Sequence, residues 1–176
     1  MKGGRGRNTP PTIVVVMGVA GSGKTTVGTM LAKAMECPFL EGDSLHSTQN
    51  IEKMKHARPL TDSDRAPWLA AIHARILDAF ERGENLVVAC SALKRQYRGV
   101  LADGVPIIWV YLKGSAALIR SRLKNRPLHF MKADLLNSQF ETLEEPSNAV
   151  VIDNSSPPGA IVEQILARLA SGKPPK

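Results

Sequence analysis

The segment from Gly18 to Thr25 reads Gly-Val-Ala-Gly-Ser-Gly-Lys-Thr and constrains this chain more than any other feature. It fits the pattern G-x-x-x-x-G-K-[S/T], follows the apolar run Ile13–Met17 and precedes apolar residues at helical spacing. Glycines at these positions let the backbone wrap around a polyphosphate, so that successive N–H groups point at negative charge. The segment therefore predicts a phosphate-binding loop that joins a strand to a helix.

The residue types in this loop also predict how a nucleotide is held. Lys24 is placed to reach the β- and γ-phosphates, and the Thr25 hydroxyl is a ligand for Mg²⁺. The predicted nucleotide-binding residues are Gly18, Val19, Ala20, Gly21, Ser22, Gly23, Lys24, Thr25 and Thr26. We therefore expect a nucleoside triphosphate and Mg²⁺ as cofactors.

Apolar runs that are typical of strands alternate with helical patterns along the chain. The strand runs are residues 12–17, 38–40, 85–90, 106–112 and 149–152. The helical patterns are residues 24–35, 64–82, 94–102, 115–125 and 159–170. Strands that alternate with helices pair in parallel, with helices on both faces. The chain is predicted to be α/β: a three-layer α/β/α sandwich with a parallel five-stranded sheet, of the phosphate-loop NTPase type.

A length of 176 residues suits one domain. Residues 1–11 and 171–176 combine glycine, proline and basic residues, so we expect flexible tails around a single domain at 12–170. No apolar run fits a signal peptide or approaches the ~20 residues of a membrane span. Cys37 and Cys90 have no metal-binding spacing, which favours free thiols in a reducing cytoplasm. We therefore expect a cytoplasmic protein with no membrane partner.

The net charge of +7 is compatible with a nucleic-acid surface or with a site for small anions. Many of the basic residues fall after predicted strands or between predicted helices. Aromatic residues make up only 5% of the chain, which is few for stacking on bases. A nucleotide together with an acidic small molecule explains the charge more economically, so we expect no nucleic-acid partner.

Polar residues follow the second and third predicted strands, at the sheet edge where ligands collect in such folds. Glu41 and Asp43 come after the second strand at a spacing of two, which suits one carboxylate for the metal and one for an acceptor hydroxyl. After the third strand, residues 90–95 supply a hydroxyl and two cations at the start of a helix. This arrangement predicts a pocket for a carboxylate or a phosphate oxygen.

The fourth helical pattern carries Arg120, Arg122 and Arg126 and leads into residues 127–131, which interrupt the pattern. Arg122 and Arg126 are four residues apart and would share one helix face. A basic helix followed by such a segment is typical of a lid that closes over phosphates and excludes water. We expect a small lid at about residues 121–140 of the domain.

With these segments in view, the chain resembles the gluconokinase family of small phosphate-loop kinases, related in architecture to shikimate and nucleoside-monophosphate kinases. The matching segments are residues 17–25, 41–46, 50–54, 59–60, 64–69, 90–95, 97–98, 129–131, 138–140 and 143–144. Many families share the phosphate loop, whereas Asp-Arg-Ala-Pro-Trp-Leu, Cys-Ser-Ala-Leu-Lys and His-Phe-Met together are far more specific. The resemblance implies ATP-dependent phosphorylation of the terminal hydroxyl of D-gluconate, with Mg²⁺, to give 6-phospho-D-gluconate and ADP.

Gluconate offers a carboxylate for cations and a polyol chain for side-chain hydrogen bonds. The predicted substrate-binding residues are Asp43, His46, Arg58, Arg65, Ser91, Lys94, Arg98 and His129, of which His129 either contacts substrate or packs the lid. Asp43 is expected to orient the acceptor hydroxyl and accept its proton, and Thr25 and Glu41 are the expected metal ligands. Lys24, Mg²⁺ and a lid arginine, Arg122 or Arg126, are expected to neutralise charge on the moving phosphoryl group. The predicted catalytic residues are therefore Lys24, Asp43, Arg122 and Arg126.

Two other functions fit parts of this pattern. A kinase for another small anionic acceptor, such as shikimate or a nucleoside monophosphate, would need the same cations. A nucleotide-binding switch protein is the less favoured alternative, because no Asn-Lys-x-Asp segment that reads guanine is present. The resemblance is also compatible with a homodimer, since dimers occur among similar kinases.

Overall fold

A computed structural model describes residues 10–124 and 133–171 of the chain, with the side chains of residues 133 and 134 outside that description. The strands are β1 (Ile13–Met17), β2 (Phe39–Glu41), β3 (Leu86–Ala89), β4 (Ile107–Lys113) and β5 (Val150–Asp153). They form one sheet in the order β2-β3-β1-β4-β5, and every neighbouring pair in it is parallel. The predicted five-stranded parallel sheet is confirmed.

Helices connect the strands. They are α1 (Lys24–Ala34), α2 (Thr48–Lys55), α3 (Asp62–Glu81), α4 (Arg95–Leu101), α5 (Ala116–Lys124), α6 (Ala133–Thr142) and α7 (Pro158–Ala170), with a 3₁₀ turn at Gly42–Leu45. Along the described part of the chain, no helix combines the length and the apolar character needed to cross a membrane.

The central strand β1 is apolar throughout because both of its faces are buried. Ile13, Val15 and Met17 belong to an apolar cluster with residues of α3 and α4. Val14 and Val16 point to the opposite face and belong to a cluster with residues of α1 and α7. Successive side chains of a strand alternate between faces, so one apolar run supplies both layers of the core. One cluster fills the space between the sheet and the helices on one face, and the other does so on the opposite face, as in the predicted three-layer sandwich.

The helix α3 begins two residues before its predicted start because of its capping interactions. The Thr61 side chain accepts a hydrogen bond from the Asp64 N–H, and the Asp64 carboxylate accepts one from the Thr61 N–H. This reciprocal pair satisfies two N–H groups that a helix N-terminus leaves without intrahelical partners. It also orients the first turn of α3, which carries several residues close to the site described below.

Two helices, α2 and α6, lie where the sequence predicted none. Ser47 caps α2 by accepting a hydrogen bond from the Asn50 N–H at 3.2 Å. The helix α6 overlaps residues 121–140, the expected lid, and its Leu136 is fully buried in a small cluster with Val19 of the phosphate loop. Residues 125–132 lie outside the described part of the chain, so the lid stays a prediction.

Candidate active site

The loop between β1 and α1 adopts a conformation that depends on its glycines. Gly18 has a φ of 146°, and a Cβ atom there would lie 2.8 Å from Ser22 Oγ. Gly23, directly before α1, has a φ of 93°, which L side chains rarely adopt. These angles let the chain turn from the strand into the helix within six residues. The result is the close backbone curve that a phosphate-binding loop requires.

Three side chains converge at the start of α1. Lys24 is 8% exposed, and its Nζ donates a hydrogen bond to Val19 O at 3.0 Å. Thr25 Oγ1 donates one to Glu41 Oε2 at 2.6 Å, which brings the end of β2 against the loop. No group of three or more His, Cys, Asp or Glu residues within the described chain is arranged to hold a metal. A hydroxyl and one carboxylate nevertheless fit Mg²⁺, which takes few protein ligands and completes its shell with phosphate oxygens and water.

The 3₁₀ turn after β2 presents Asp43 and then His46. The turn is held from α3, because Trp68 Nε1 donates a hydrogen bond to Gly42 O at 2.7 Å. The ring of His46 stacks on Trp68 with centroids 4.2 Å apart and planes 12° from parallel. Burial lowers the pKa of His46 below its usual value of 6.5. The charge of Asp43 raises this pKa and the charge of Arg65 lowers it, and both effects are smaller than that of burial. The imidazole is therefore neutral at pH 7, and Nδ1 has no hydrogen-bond partner among the described residues.

A cavity that opens to solvent lies beside the phosphate loop; the space in and just outside it is about 590 Å³. The predicted site residues that line it are Ala20, Lys24, Asp43, His46, Arg58, Arg65 and Ser91. Arg65 Nη1 donates to Leu60 O and, at 3.4 Å, to the Tyr97 hydroxyl. Within residues 10–124 and 133–171, neither Arg58 nor Arg65 forms an ion pair with a carboxylate. Three cations therefore share the lining with one carboxylate, and this balance favours an anionic ligand.

Two of the predicted substrate-binding cations, Lys94 and Arg98, are held by other partners outside the lining of this cavity, and their role toward substrate stays a prediction. Lys94 Nζ pairs with both carboxylate oxygens of Asp62 at 2.9 Å, and this bond lowers the pKa of Asp62 to about 2. Arg98 is buried, and its Nη1 donates to Ala92 O at 2.9 Å and Leu93 O at 3.1 Å. Neither side chain lines the cavity. In the described structure Lys94 therefore connects the start of α4 to α3, and Arg98 supports the loop between β3 and α4.

Of the two expected lid arginines, the structure describes Arg122. Arg122 lies on α5, away from the cavity lining, and its Nη2 donates to Asn154 O at 2.5 Å. Asn154 is fully buried and donates from Nδ2 to Ser22 O at 3.0 Å, so it connects the loop after β5 to the phosphate loop. Arg126 and His129 lie outside the described residues. Their predicted roles stay predictions.

Comparison with known proteins gives a consistent result. A family model described as an AAA domain matches residues 13–146. The gluconokinase of Gluconobacter oxydans is 44% identical over 160 residues, which cover 89% of this chain and 90% of that protein. The thermoresistant gluconokinase of Escherichia coli is 41% identical over 166 residues, covering 92% and 95%. The crystal structure of a gluconokinase from Sinorhizobium meliloti superposes with a TM-score of 0.83 at 46% identity, covering 94% of each chain.

The chain belongs to the gluconokinase family. This membership confirms the resemblance drawn from its motifs and the expectation of a phosphate-loop kinase. It also implies that the chain uses a nucleotide, as the phosphate loop predicted. Family membership does not assign roles to individual side chains, which stay predictions.

The sequence did not predict every polar group at this site. In this member of the gluconokinase family, Gln139 Oε1 accepts a hydrogen bond from the Ala20 N–H at 2.7 Å, and both residues line the cavity. Residues 138–140 contributed to the family resemblance but received no role from it. The available signal was a polar residue between the apolar residues Leu136 and Phe140 of one helix. That pattern indicates a polar contact on a packed face without identifying the partner.

Proposed function

We propose that this protein transfers the γ-phosphoryl group of ATP to the terminal hydroxyl of D-gluconate, giving 6-phospho-D-gluconate and ADP. The observation that carries this proposal is that one cavity joins Lys24 of the phosphate loop, the carboxylate of Asp43 and two arginines, Arg58 and Arg65, that form no ion pair with a carboxylate of the described residues. The names of the relatives, gluconokinases that share 41–44% of their residues with this chain, support gluconate as the acceptor.

The nucleotide is assigned to the phosphate loop. Backbone N–H groups between Gly18 and Thr26 would surround the phosphates, and Lys24 would exchange its contact with Val19 O for phosphate oxygens. Thr25 and Glu41 would hold Mg²⁺, because their oxygens already meet at the end of the loop. The ion would neutralise part of the charge on the phosphate oxygens. Glu41 and Asp43 lie at and just beyond the end of β2. If Glu41 holds the metal, Asp43 remains to bind the acceptor hydroxyl.

The acceptor is assigned to the rest of the cavity. Guanidinium groups match a carboxylate in shape and charge, so Arg58 and Arg65 are the proposed partners of the gluconate carboxylate. A polyol hydroxyl can donate and accept hydrogen bonds. The neutral imidazole of His46 has one donor nitrogen and one acceptor nitrogen, so it can bond to such a hydroxyl in either direction. The hydroxyl of Ser91, at the end of β3, has the same versatility. These groups together discriminate a hydroxylated acid from a neutral sugar.

Phosphoryl transfer passes through a loose transition state, so alignment and neutralisation of charge do most of the work. Asp43 is proposed to orient the terminal hydroxyl and to accept its proton as the new P–O bond forms. Lys24 is proposed to stabilise charge on the transferring group. An arginine at the expected lid, Arg122 or Arg126, is proposed to add positive charge on the opposite side.

The test is ADP release by the purified protein with Mg²⁺-ATP and one acceptor at a time. The acceptors are D-gluconate, shikimate, glycerate, AMP and CMP, each compared with a blank that lacks acceptor. We expect release with gluconate and no increase over the blank with the others. The variant Lys24→Met is the control, because it should abolish release with any acceptor. Release with shikimate or a monophosphate instead would keep the phosphate-loop chemistry and refute the assignment of the acceptor.

A further inference from the structure

One hydrogen bond joins the phosphate loop to a helix that is remote in sequence. The Ala20 N–H donates to the side-chain oxygen Oε1 of Gln139 on α6, at 2.7 Å and across 119 positions of the chain. This distance is at the short end of the range for N–H···O bonds. Ala20 and Gln139 both line the cavity that contains Lys24 and Asp43. The bond therefore lies where the phosphate loop meets the proposed acceptor site.

Ala20 is the point at which the phosphate loop is hydrogen-bonded to α6. It lies between Gly18 and Gly21, whose φ angles of 146° and 78° are both in the region that favours glycine. Its methyl side chain can anchor little, whereas the neighbouring Val19 is 3% exposed and packs in an apolar cluster. Glycine gives the backbone freedom on each side of this pair. The carbonyl of the same peptide unit, Val19 O, accepts from the Ser22 N–H at 3.2 Å and from Lys24 Nζ at 3.0 Å, both within the loop and the start of α1. The carboxamide of Gln139 is the hydrogen-bond partner that links this peptide unit to α6.

The helix α6 is anchored by contacts that do not involve Gln139. Leu136 is fully buried in the cluster that also contains Val19 and Leu93. Just beyond the end of α6, the Glu144 N–H donates to Leu93 O at 2.9 Å, and the Glu144 carboxylate accepts from the Arg95 N–H at 2.7 Å. A change at Gln139 should therefore leave α6 in place. It removes the hydrogen bond from the Ala20 N–H, so we expect it to alter the position of the phosphate loop.

We propose that Gln139 is a positioning residue for phosphoryl transfer: it holds the first half of the phosphate loop against α6 and so sets the distance from the γ-phosphoryl group to the acceptor hydroxyl at Asp43. This inference rests on the proposed function. The remainder of the loop, from Gly21 to Thr25, continues into α1 and does not depend on this bond. Nucleotide affinity should therefore survive its loss, whereas alignment between donor and acceptor should not.

The test replaces Gln139 with methionine, which has a similar length and no oxygen acceptor. Asn137→Met is the matched control, because Asn137 lies on the same helix, is exposed and accepts only from Arg120 in the described structure. The measurements are kcat, the KM values for ATP and gluconate, the ratio of ADP to 6-phospho-D-gluconate formed, and Tm. A displacement near 1 Å in an aligned pair costs up to about a hundredfold in rate, so we expect kcat to fall about 10- to 100-fold.

In Gln139→Met, both KM values should stay within about twofold and Tm should match that of Asn137→Met, while more ADP than sugar phosphate is formed as water competes with the acceptor. Gln139→Glu retains an acceptor oxygen, so at saturating ATP it should turn over faster than Gln139→Met. The inference is overturned if kcat of Gln139→Met is unchanged, if Asn137→Met falls equally, or if Gln139→Glu is no faster. Absence of gluconate phosphorylation by the unmodified protein would refute the proposed function instead.

Discussion

Replacing Trp68 with phenylalanine tests whether α3 holds in place the 3₁₀ turn Gly42–Leu45, which carries Asp43. Trp68 is 3% exposed, donates to Gly42 O and stacks on His46. Phenylalanine keeps the apolar body but loses the N–H group, which leaves the buried carbonyl of Gly42 without that partner. An unpaired buried acceptor costs about 1–3 kcal/mol, and a weakened aromatic pair costs about 0.5–1.5 kcal/mol. We therefore expect the free energy of unfolding to fall by about 2–4 kcal/mol.

The same change should slow the reaction, because Gly42 directly precedes Asp43 and moves with it. A shift of the turn by a fraction of an ångström to 1 Å predicts a loss in kcat of about 10- to 100-fold. The KM for ATP should change little, because Trp68 forms no hydrogen bond with the phosphate loop in the described structure. Urea unfolding followed by circular dichroism gives the stability, and steady-state kinetics at a temperature where the variant is fully folded gives the rate.

Trp109→Phe is the matched control for this experiment. Trp109 on β4 is also buried and belongs to the same apolar cluster as Trp68. It should lose stability through the smaller ring while kcat stays within about twofold, since no contact to the turn is removed. The reasoning is refuted if Trp68→Phe, measured while folded, turns over as fast as the unmodified protein. It is also refuted if the two variants lose equal activity.

Three further predictions follow from the site. Glu41→Gln should raise the Mg²⁺ concentration for half-maximal rate by about tenfold while the KM for gluconate is unchanged, as measured by a metal titration of the rate. His46 has a pKa below 6.5 when folded, so the unfolded state binds more protons and Tm should fall as the pH drops below about 6.5; His46→Gln should flatten that fall in thermal melts between pH 8 and 5. Arg98→Met should lower the free energy of unfolding by about 2–4 kcal/mol and leave the KM for gluconate unchanged. Arg65→Met should raise the KM for gluconate about tenfold or more. Equal effects of the two variants on this KM would contradict the assignment of Arg65 to the gluconate carboxylate.

The elements that the sequence predicted well depend on neighbours along the chain. The phosphate loop is specified by a strand, a glycine pattern and a helix within about one βα unit. Glu41 and Asp43 could be predicted as site residues because they lie at and just beyond the end of β2. The buried strands are recognisable because residues such as Ile13–Met17 are apolar on both faces. In each case the physical cause and the sequence signal occupy the same short segment.

What the sequence could not predict depends on contacts between distant segments. The helix α6 is stabilised by packing Leu136 against Val19, more than a hundred positions earlier, so its own short pattern is a weak signal. Nothing near Trp68 in the sequence indicates the partner of its indole N–H, because the bond to Gly42 O depends on how α3 packs against the 3₁₀ turn. Likewise, nothing local distinguishes Arg98, which braces a loop, from a cation that faces a ligand.

The first turn of α3 shows how the protein sorts its cations. Asp62 and Asp64 lie in that turn, where Asp62 pairs with Lys94 and Asp64 pairs with Lys53 at 2.7 Å. Arg65 follows directly and is left without a carboxylate partner in the described structure, in the wall of the cavity. Acidic residues are also favoured at this end of a helix by its dipole, so the pairing and the helix support each other. The two lysines are thereby neutralised at the rim, while a planar guanidinium remains available inside. Under the proposed function, a site built in this way would select a carboxylate by shape as well as by charge, which a net charge of +7 alone could not achieve.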